Sequence, residues 1–207
     1  MRNLGEYKLE KSELRRQIIK QRQSLSEAEW KEKSQEICKN LAKLDLFIKA
    51  KTVLAYFSFR KEPDLSYLFQ DNEIPTTSLK KGGLKNLDDN KNWGFPRCVD
   101  KTLIWHYWKS IDELITGKYG IQEPNSNLPI VKPENVDLIL VPCVACDYKN
   151  YRLGYGGGYY DRFLSSREWE SIPTIGIVFD LGYLPEVPIE VWDKKLDMIC
   201  TETGFKR

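Results

Sequence analysis

Residues 152–162, Arg-Leu-Gly-Tyr-Gly-Gly-Gly-Tyr-Tyr-Asp-Arg, constrain the fold of this chain more than any other stretch. Four of the thirteen glycines lie there, at positions 154, 156, 157 and 158. The apolar run 136–142 before them predicts a buried parallel strand, and residues 159–164 predict the start of a helix. A strand, a glycine loop and a helix start form an arrangement that binds phosphate. Glycines let the backbone approach a ligand, and free N–H groups attract an anion.

The spacing of these glycines does not match the common nucleotide-binding motifs. Gly-x-Gly-x-x-Gly fails, because its last position is Tyr159 when counted from Gly154 and Asp161 when counted from Gly156. The tripeptide Gly-Lys-Ser/Thr of a Walker loop does not occur. A tight strand-to-helix turn is the alternative interpretation, since glycine is the default turn residue. The neighbouring arginines, tyrosines and aspartate favour a binding site.

The alternation of strand and helix patterns along the chain predicts an α/β fold. A length of 207 residues is typical of one domain, and the sequence shows no internal repeat, low-complexity linker or domain boundary. We therefore expect a single domain over residues 1–207, with a mixed, mostly parallel sheet and helices on both faces.

Charge and composition indicate what kind of partner to expect. The 32 basic and 30 acidic residues give a net charge of +2, which does not indicate a nucleic-acid partner. No apolar run has the length of a membrane span, and the N-terminus lacks an apolar signal region. The five cysteines are scattered and odd in number, as in reduced cytoplasmic proteins. We expect a cytoplasmic monomer that binds small molecules, without nucleic-acid or membrane partners.

Two helices are predicted near the N-terminus, over residues 9–23 and from a capping box at 26–29. Lys11, Arg15 and Arg22 fall on one side of the first helix. Charge pattern alone favours a solvated basic face there. The competing interpretation is that these cations bind phosphate.

The remaining elements are predicted from β-propensity and periodicity. Glu62 follows the first strand at its carboxyl end, where ligands bind in open α/β sheets, although an exposed loop carboxylate is the alternative. The predicted strands are 52–59, 103–108, 173–179 and 198–201. The predicted helices are 65–70, 111–115 and 163–169. Residues 71–92 are predicted as short strands or loops, and residues 117–133 as a loop.

Two features that often indicate metal or redox sites are weak here. His106 is the only histidine, and a single histidine does not form a zinc site. Cys143 and Cys146 form a Cys-x-x-Cys, but no second pair accompanies them and they follow a strand. Packing as small apolar residues is the favoured interpretation of the pair.

Binding of a triphosphate by the glycine loop would require neutralising charge and a metal. Arg152, Arg162, Lys11 and Arg15 could supply cationic hydrogen bonds. Asp161 lies beside the loop and could hold Mg²⁺, with Asp193 as a second ligand.

Aromatic residues complete the site that the residues themselves predict. Tyr159, Tyr160, Trp108 and Phe57 offer flat surfaces to an aromatic co-substrate. The residues therefore predict a nucleotide-dependent enzyme with an aromatic and acidic second substrate, and they leave that substrate open.

The glycine segment with the strand before it resembles the signature of the 5-formyltetrahydrofolate cyclo-ligase family, also called 5,10-methenyltetrahydrofolate synthetases. Four further elements occur in the family's order. They are Lys-x-x-x-Arg at 11–15, the strand ending in glutamate at 56–62, Gly-Ile-Gln-Glu-Pro at 120–124 and the aspartate segment at 192–197.

The resemblance implies an ATP- and Mg²⁺-dependent conversion of 5-formyltetrahydrofolate to 5,10-methenyltetrahydrofolate, with release of ADP and phosphate. It implies Arg152 and Tyr159 as catalytic residues and Asp161 and Asp193 as metal ligands. The implied ATP-binding residues are Lys11, Arg15, Arg152, Leu153, Gly154, Tyr155, Gly156, Gly157, Gly158, Tyr159 and Tyr160. The implied folate-binding residues are Phe57, Glu62, Trp108, Glu123, Tyr155, Gly156, Gly157, Gly158 and Tyr159.

The sequence departs from the family pattern at two places. Cys143 to Cys146 replace a Gly-Leu-Ala-Phe type segment, and Trp192 precedes Asp193 where histidine is frequent. Two other functions remain as alternatives: a non-catalytic nucleotide- or RNA-binding module, and a different ATP-dependent ligase on a similar scaffold.

Overall fold

The computed structural model describes residues 4–69 and 91–206. A seven-stranded sheet forms its centre. In order across the sheet the strands are β12 (Gly204–Lys206), β11 (Met198–Thr201), β9 (Thr174–Ile177), β6 (Leu138–Pro142), β1 (Thr52–Leu54), β2 (Asn92–Val99) and β3 (Thr102–Trp108). The five strands from β11 to β2 are parallel, and each edge strand is antiparallel to its neighbour. The predicted mixed, mostly parallel sheet is confirmed.

Helices cover both faces of this sheet, as predicted. They are α1 (Leu4–Gln23), α2 (Glu27–Ala42), α3 (Asp45–Lys49) and α4 (Tyr159–Leu164). Successive β6 residues face opposite sides because side chains alternate along a strand. Leu138 and Leu140 pack in the layer that contains α2, whereas Ile139 and Val141 pack in the layer that contains α4.

Local sequence signals explain the helical hairpin at the N-terminus. The predicted capping box is present: Ser26 Oγ accepts a hydrogen bond from Glu29 N at 3.2 Å, and the Glu29 carboxylate accepts one from Ser26 N at 2.8 Å. α1 begins at Leu4, before the predicted start at residue 9. Its Ile18 is buried against Val144 and Leu153, so α1 lies against the glycine segment.

Two smaller sheets lie beside the central one. β10 (Tyr183–Leu184), β7 (Ala145–Asp147) and β8 (Arg152–Leu153) form the first, and β4 (Leu114–Thr116) pairs with β5 (Gln122–Pro124) in the second. The first carries the glycine segment out of the sheet layer, and the second brings Glu123 to the same side of the molecule.

Several predicted elements differ from those observed. The predicted helix over 111–115 is wrong: Leu114–Thr116 pair with Gln122–Pro124, in a stretch predicted as loop, because this hairpin satisfies backbone groups that a five-residue helix would leave unpaired. The predicted strand 52–59 ends at Leu54, and the predicted helix over 65–70 is a 3₁₀ turn at Ser66–Leu68.

Towards the C-terminus, the predicted helix over 163–169 is displaced, since α4 occupies Tyr159–Leu164. The antiparallel strand Gly204–Lys206 was not predicted. The prediction for residues 71–92 lies outside the described residues, apart from Lys91 and Asn92. Within the described ranges, no helix combines the length and the apolar character needed to cross a membrane.

Candidate active site

A cavity of about 870 Å³ lies beyond the carboxyl ends of β1 and β6, where open α/β sheets bind ligands. Tyr56 and Pro142 mark those two strand ends in its wall. All but two of the residues predicted for binding or catalysis line the cavity: Lys11, Arg15, Phe57, Glu62, Glu123, residues 152–161 and Asp193. The exceptions are Trp108 and Arg162, and the Arg162 guanidinium donates instead to Lys101 O and Gly157 O. The fold therefore collects residues that are more than 180 positions apart in the sequence into one site.

The glycine segment forms one wall because two of its residues adopt left-handed backbone conformations. Gly156 has a φ of 94°, and Gly158, with a φ of 68°, is the N-cap of α4. A Cβ at Gly156 would lie 3.4 Å from the Arg15 guanidinium, and one at Gly158 would lie 2.6 Å from Arg162 Nη1. The glycines therefore leave room for cations as well as for a ligand. α4 has only six residues, so side-chain cations carry more of the charge than the helix terminus.

Arg152 is buried at the start of this wall. Its Nη2 donates to Asp161 Oδ1 at 2.5 Å, and its guanidinium lies 5.4 Å from the centre of the Tyr160 ring. Its Nε has no hydrogen-bond partner within the described residues. An arginine fixed on one side by a carboxylate, with a donor left over, is suited to bind an anionic ligand.

α1 contributes two further cations to the same region. Lys11 Nζ lies 2.6 Å from Asp193 Oδ2 and 3.4 Å from Glu190 Oε2. Arg15 Nε donates to Gly154 O at 2.6 Å. Burial lowers the pKa of Arg15, and nearby Asp161, Asp193 and Glu190 oppose this shift. We call Lys11, Arg15 and Arg152, with the paired Asp161 and Asp193, the cationic end.

The interpretation of the α1 cations as a solvated basic face is wrong. Lys11 and Arg22 are buried, with 6% and 2% of their surface exposed, and Arg15 is half-buried. Charge spacing could not reveal this, because the apolar face of α1 alone does not indicate which surface the helix packs against.

Glu62 also lines the cavity and is almost completely buried. Its Oε2 accepts a hydrogen bond from Phe59 N at 3.1 Å. Burial raises its pKa to about 7, against the opposing effects of Arg22 and of hydrogen bonds from Phe59 and Tyr155. The alternative of an exposed loop carboxylate is therefore wrong. We call Glu62 and the neighbouring Phe57 the Glu62 end.

Aromatic packing fixes Phe57 at this end. Its ring stacks on Phe95 with the centroids 4.2 Å apart and lies edge to face with Trp108 at 5.3 Å. Trp108 is buried behind Phe57 and donates through Nε1 to Asp112 O at 3.1 Å. The structure thus does not bring Trp108 to the cavity wall, because β3 places its indole in the core. Trp108 supports the ring that does line the cavity.

Tyr119, Tyr159 and Tyr160 are three of the tyrosines that line the cavity. The Tyr159 hydroxyl lies 3.3 Å from that of Tyr119 and donates to Asp100 O at 3.1 Å. The hydrogen bond with Tyr119 is the main cause that raises the pKa of Tyr159 to about 12, so this hydroxyl stays protonated near neutral pH. The buried hydroxyl of Tyr160 has no hydrogen-bond partner within the described residues. Tyr160 therefore has an unused donor beside the cavity.

Asp161 and Asp193, the predicted metal ligands, line the same cavity but are each paired with a cation. Residues 4–69 and 91–206 contain no cluster of three or more His, Cys, Asp or Glu side chains able to hold a metal. Mg²⁺ is usually held by one or two carboxylates, with phosphate oxygens and water filling the remaining positions. Two carboxylates on one cavity fit that requirement, and Mg²⁺ binding stays a prediction.

A family model described as the 5-formyltetrahydrofolate cyclo-ligase family matches residues 7–202. The chain belongs to this family. The predicted resemblance and the prediction of a ligase are confirmed, and family and relatives together indicate 5,10-methenyltetrahydrofolate synthetase activity.

Individual relatives agree with the family assignment. The chain is 30% identical over 179 residues to the probable 5-formyltetrahydrofolate cyclo-ligase of Schizosaccharomyces pombe, covering 80% of this chain and 81% of that protein. It is 29% identical over 191 residues to the cyclo-ligase of Haemophilus influenzae, covering 90% and 94%. The solved 5,10-methenyltetrahydrofolate synthetase of Aquifex aeolicus superposes with a TM-score of 0.78 at 32% identity, covering 95% of this chain and 92% of that one.

Within this cyclo-ligase, several cavity residues escaped sequence reasoning. They are Tyr56, Phe59, Arg60, Pro96, Cys98, Leu103, Tyr119, Ile121, Gln122, Pro142, Glu190 and Trp192. The motif at 120–124 contains Ile121 and Gln122 as well as Glu123, so it is a sequence signal for all three lining residues. Residues such as Cys98 and Leu103 carry no local signal, because only the pairing of β2 with β3 brings them to the wall.

The departures from the family pattern do not open a second site. Cys143 and Cys146 are free and buried, and burial raises the pKa of Cys146, so packing as apolar residues is the interpretation that fits. Asp193 keeps its place on the cavity although Trp192 precedes it, and half-exposed Trp192 lines the same wall. His106 is buried with its Nδ1 2.7 Å from Leu128 O, which agrees with a structural role.

Proposed function

We propose that this cyclo-ligase converts 5-formyltetrahydrofolate to 5,10-methenyltetrahydrofolate, using ATP with Mg²⁺ and releasing ADP and phosphate. The observation that carries the proposal is a single cavity with three cations at one end and a buried, raised-pKa carboxylate at the other. Triphosphate suits the first end and a ring with N–H donors suits the second.

The chemistry requires activation of an unreactive amide. The N5-formyl oxygen attacks the γ-phosphorus of ATP, ADP leaves, and the formyl carbon becomes a good electrophile. The N10 amine then attacks that carbon and closes the five-membered ring. The N10 proton is lost and phosphate leaves with the former formyl oxygen. Catalysis of this kind depends on positioning and charge neutralisation, so no protein nucleophile is needed.

The cationic end would bind the phosphates of ATP. Lys11, Arg15 and Arg152 would donate hydrogen bonds to the phosphate oxygens. Bound phosphate would compete with Asp193 for Lys11 and with Asp161 for Arg152. Asp161 and Asp193 would hold Mg²⁺ on release from those pairs. The ion would neutralise charge on the phosphates.

The Glu62 end would bind the pterin. Ionised Glu62 accepts hydrogen bonds from adjacent N–H groups, and Phe57 offers a ring held by two aromatic neighbours. Tyr155, Tyr159 and residues 156–158 line the same cavity, and we assign them to the region where the γ-phosphoryl group must reach the formyl oxygen. Arg152 and Tyr159 would stabilise that transfer, Arg152 by charge and Tyr159 through its protonated hydroxyl.

Direct assay tests the proposal. Purified protein with ATP, Mg²⁺ and 5-formyltetrahydrofolate should form the methenyl product, followed by its absorbance, with one ADP per product. Omission of ATP or chelation of Mg²⁺ should each abolish the signal. Intact ATP and no product under complete conditions would refute the assignment.

We further propose that residues 1–207 act as one domain and as a monomer. In support of one domain, a single seven-stranded sheet forms the centre and the residues assigned to both substrates line one cavity. Sedimentation of the active protein at the assay concentration tests this.

A further inference from the structure

One buried arginine joins two parts of the cavity wall without lining the cavity itself. Arg22 on α1 donates through Nε to Arg60 O at 3.1 Å and through Nη2 to the Tyr155 hydroxyl. Its guanidinium lies 5.7 Å from the centre of the Tyr155 ring. Within the described residues it forms no ion pair, and Nη1 has no hydrogen-bond partner. A buried cation without a direct carboxylate partner is costly, which points to a role beyond stability.

The turn that Arg22 holds has an unfavourable backbone. Arg60 and Lys61 have φ angles of 49° and 54°, and two successive non-glycine residues in the left-handed region are rare. Such strain persists only where surrounding contacts fix it. The α1–α2 hairpin supplies three of them: Arg22 to Arg60 O, Lys61 Nζ to Leu25 O, and Trp30 Nε1 to Glu62 O at 2.8 Å. These contacts determine where Glu62 enters the cavity.

Arg22 also acts on the charge of Glu62. Burial raises the pKa of Glu62 to about 7, and Arg22 is the first opposing cause. The other titratable groups that face Glu62 are the hydroxyls of Tyr56, Tyr155 and Tyr160, and none of these supplies positive charge. Loss of Arg22 would therefore leave Glu62 protonated at neutral pH, and a protonated carboxyl accepts hydrogen bonds poorly.

We infer that Arg22 is a positioning residue that sets Glu62 and Tyr155 relative to each other and keeps Glu62 as a carboxylate. Arg22 thus connects the Glu62 end to the glycine segment through its hydrogen bonds, so the two substrates would bind at a fixed distance from each other. The identity of the ligand at Glu62 rests on the proposed function, whereas the effect of Arg22 on Glu62 is a property of the protein alone.

Two substitutions separate the effect of the Arg22 charge from the effect of its two hydrogen bonds, to Arg60 O and to the Tyr155 hydroxyl. Carbon-13 NMR of labelled glutamate carboxyls, assigned with Glu62→Gln, follows the titration of Glu62 in the free protein. Arg22→Met should move the midpoint to higher pH, whereas Arg22→Lys, which keeps the charge, should leave it near that of the parent.

Affinity for 5-formyltetrahydrofolate gives a second readout. Arg22→Met should weaken binding on the order of tenfold at pH 7, and part of this loss should disappear at pH 9, where Glu62 is ionised in both proteins. Arg22→Lys should weaken binding by a factor that does not change with pH, because lysine cannot hold both Arg60 O and Tyr155.

Arg16→Met is the matched control, since Arg16 is an exposed arginine on the same helix that pairs with Glu13. It should change neither readout. An unchanged Glu62 titration in folded Arg22→Met would overturn the inference. Should Arg22→Met not fold, full folate affinity in Arg22→Lys would overturn it instead. A parent that shows the Glu62 titration but binds no folate would refute the proposed function, so the two failures are distinguishable.

Discussion

The two ends of the cavity hold their charges in opposite ways. At the cationic end, Lys11 and Arg152 are neutralised by direct contacts with Asp193 and Asp161. At the Glu62 end, a single carboxylate is buried among aromatic rings, and its cation is held at a distance behind the wall. The first arrangement can exchange partners when a phosphate arrives. In the second, Phe59 N, Tyr155 and Arg22 compensate the buried carboxylate only in part, so a ligand that donates hydrogen bonds would stabilise it further.

This difference in charge compensation predicts different roles for the two ends of the cavity, in turnover and in substrate specificity. Exchangeable ion pairs suit a ligand that must be bound and released, because the pairs re-form when it leaves. A desolvated carboxylate discriminates strongly, because a ligand lacking the right N–H groups leaves it unpaired. We therefore expect substitutions at the cationic end to affect turnover and those at the Glu62 end to affect folate affinity.

The largest effect is expected for Arg152→Met. It removes a buried charge from the place where the transferred phosphoryl group would lie, so kcat should fall on the order of 1,000-fold. Steady-state assay of the methenyl product measures this, and thermal unfolding checks the fold. Arg167→Met, at an exposed arginine away from the cavity, is the control. A kcat within about fivefold of the parent would break the comparison, because the cationic end would then be dispensable for turnover.

Asp161→Asn tests the metal role at the same end. Turnover should fall on the order of 100-fold and the Mg²⁺ concentration for half-maximal rate should rise, because a carboxylate ligand is lost. Folate affinity, measured by equilibrium titration, should change little. Asp45→Asn, at an exposed carboxylate outside the cavity lining, serves as the control. Parent-like activity at every Mg²⁺ concentration would contradict the assignment.

Glu62→Gln should affect binding instead. Affinity for 5-formyltetrahydrofolate should fall on the order of 30-fold at pH 8, while nucleotide affinity is retained, because charged hydrogen bonds are lost only at the Glu62 end. The pH profile sharpens the test. The parent should lose folate affinity as pH falls through about 7, the pKa of Glu62, and the variant should show no such step. A parallel loss of nucleotide affinity would show that the two ends do not act separately.

The last prediction concerns the stability of the fold instead of binding or turnover. The folded-state pKa of Glu62, about 7, lies above its ordinary value of 4.5, so the folded protein binds the proton more tightly than the unfolded chain. Burial of Glu62 therefore lowers the free energy of unfolding little below pH 4.5. Above pH 7 it lowers that free energy by about 3 kcal/mol.

Glu62→Gln should consequently be more stable than the parent at pH 8 and similar to it at pH 4, as chemical denaturation at both pH values would measure. Glu134→Gln, at an exposed glutamate, is the control and should show no such pH-dependent gain. Lower stability of Glu62→Gln than of the parent at pH 8 would contradict the prediction. It would mean that hydrogen bonds and Arg22 stabilise the Glu62 carboxylate by more than its burial costs.

The sequence by itself determined the layered α/β fold, the glycine wall and most of the cavity lining. The continuous apolar run of β6 fills two helical layers because successive side chains face opposite sides of the sheet, and the glycines of residues 152–162 permit backbone angles that other residues rarely adopt. Local rules of this kind can be read from short segments. They also explain the misplaced elements, since the β4–β5 hairpin depends on a partner strand that a five-residue segment does not reveal.

Only the tertiary structure decided which charges are buried and what each faces. The spacing of Lys11, Arg15 and Arg22 is the same whether α1 faces solvent or the glycine segment, and the packing of Ile18 against Val144 and Leu153 selects the second. That packing brings Lys11 and Arg15 of the basic helix face to the cavity, where we propose that they bind phosphate, and it buries Arg22 against the turn that precedes Glu62. The physical reason is that desolvation and ion pairing depend on all neighbours in space, and the nearest ones here lie as far as 182 residues away in the sequence.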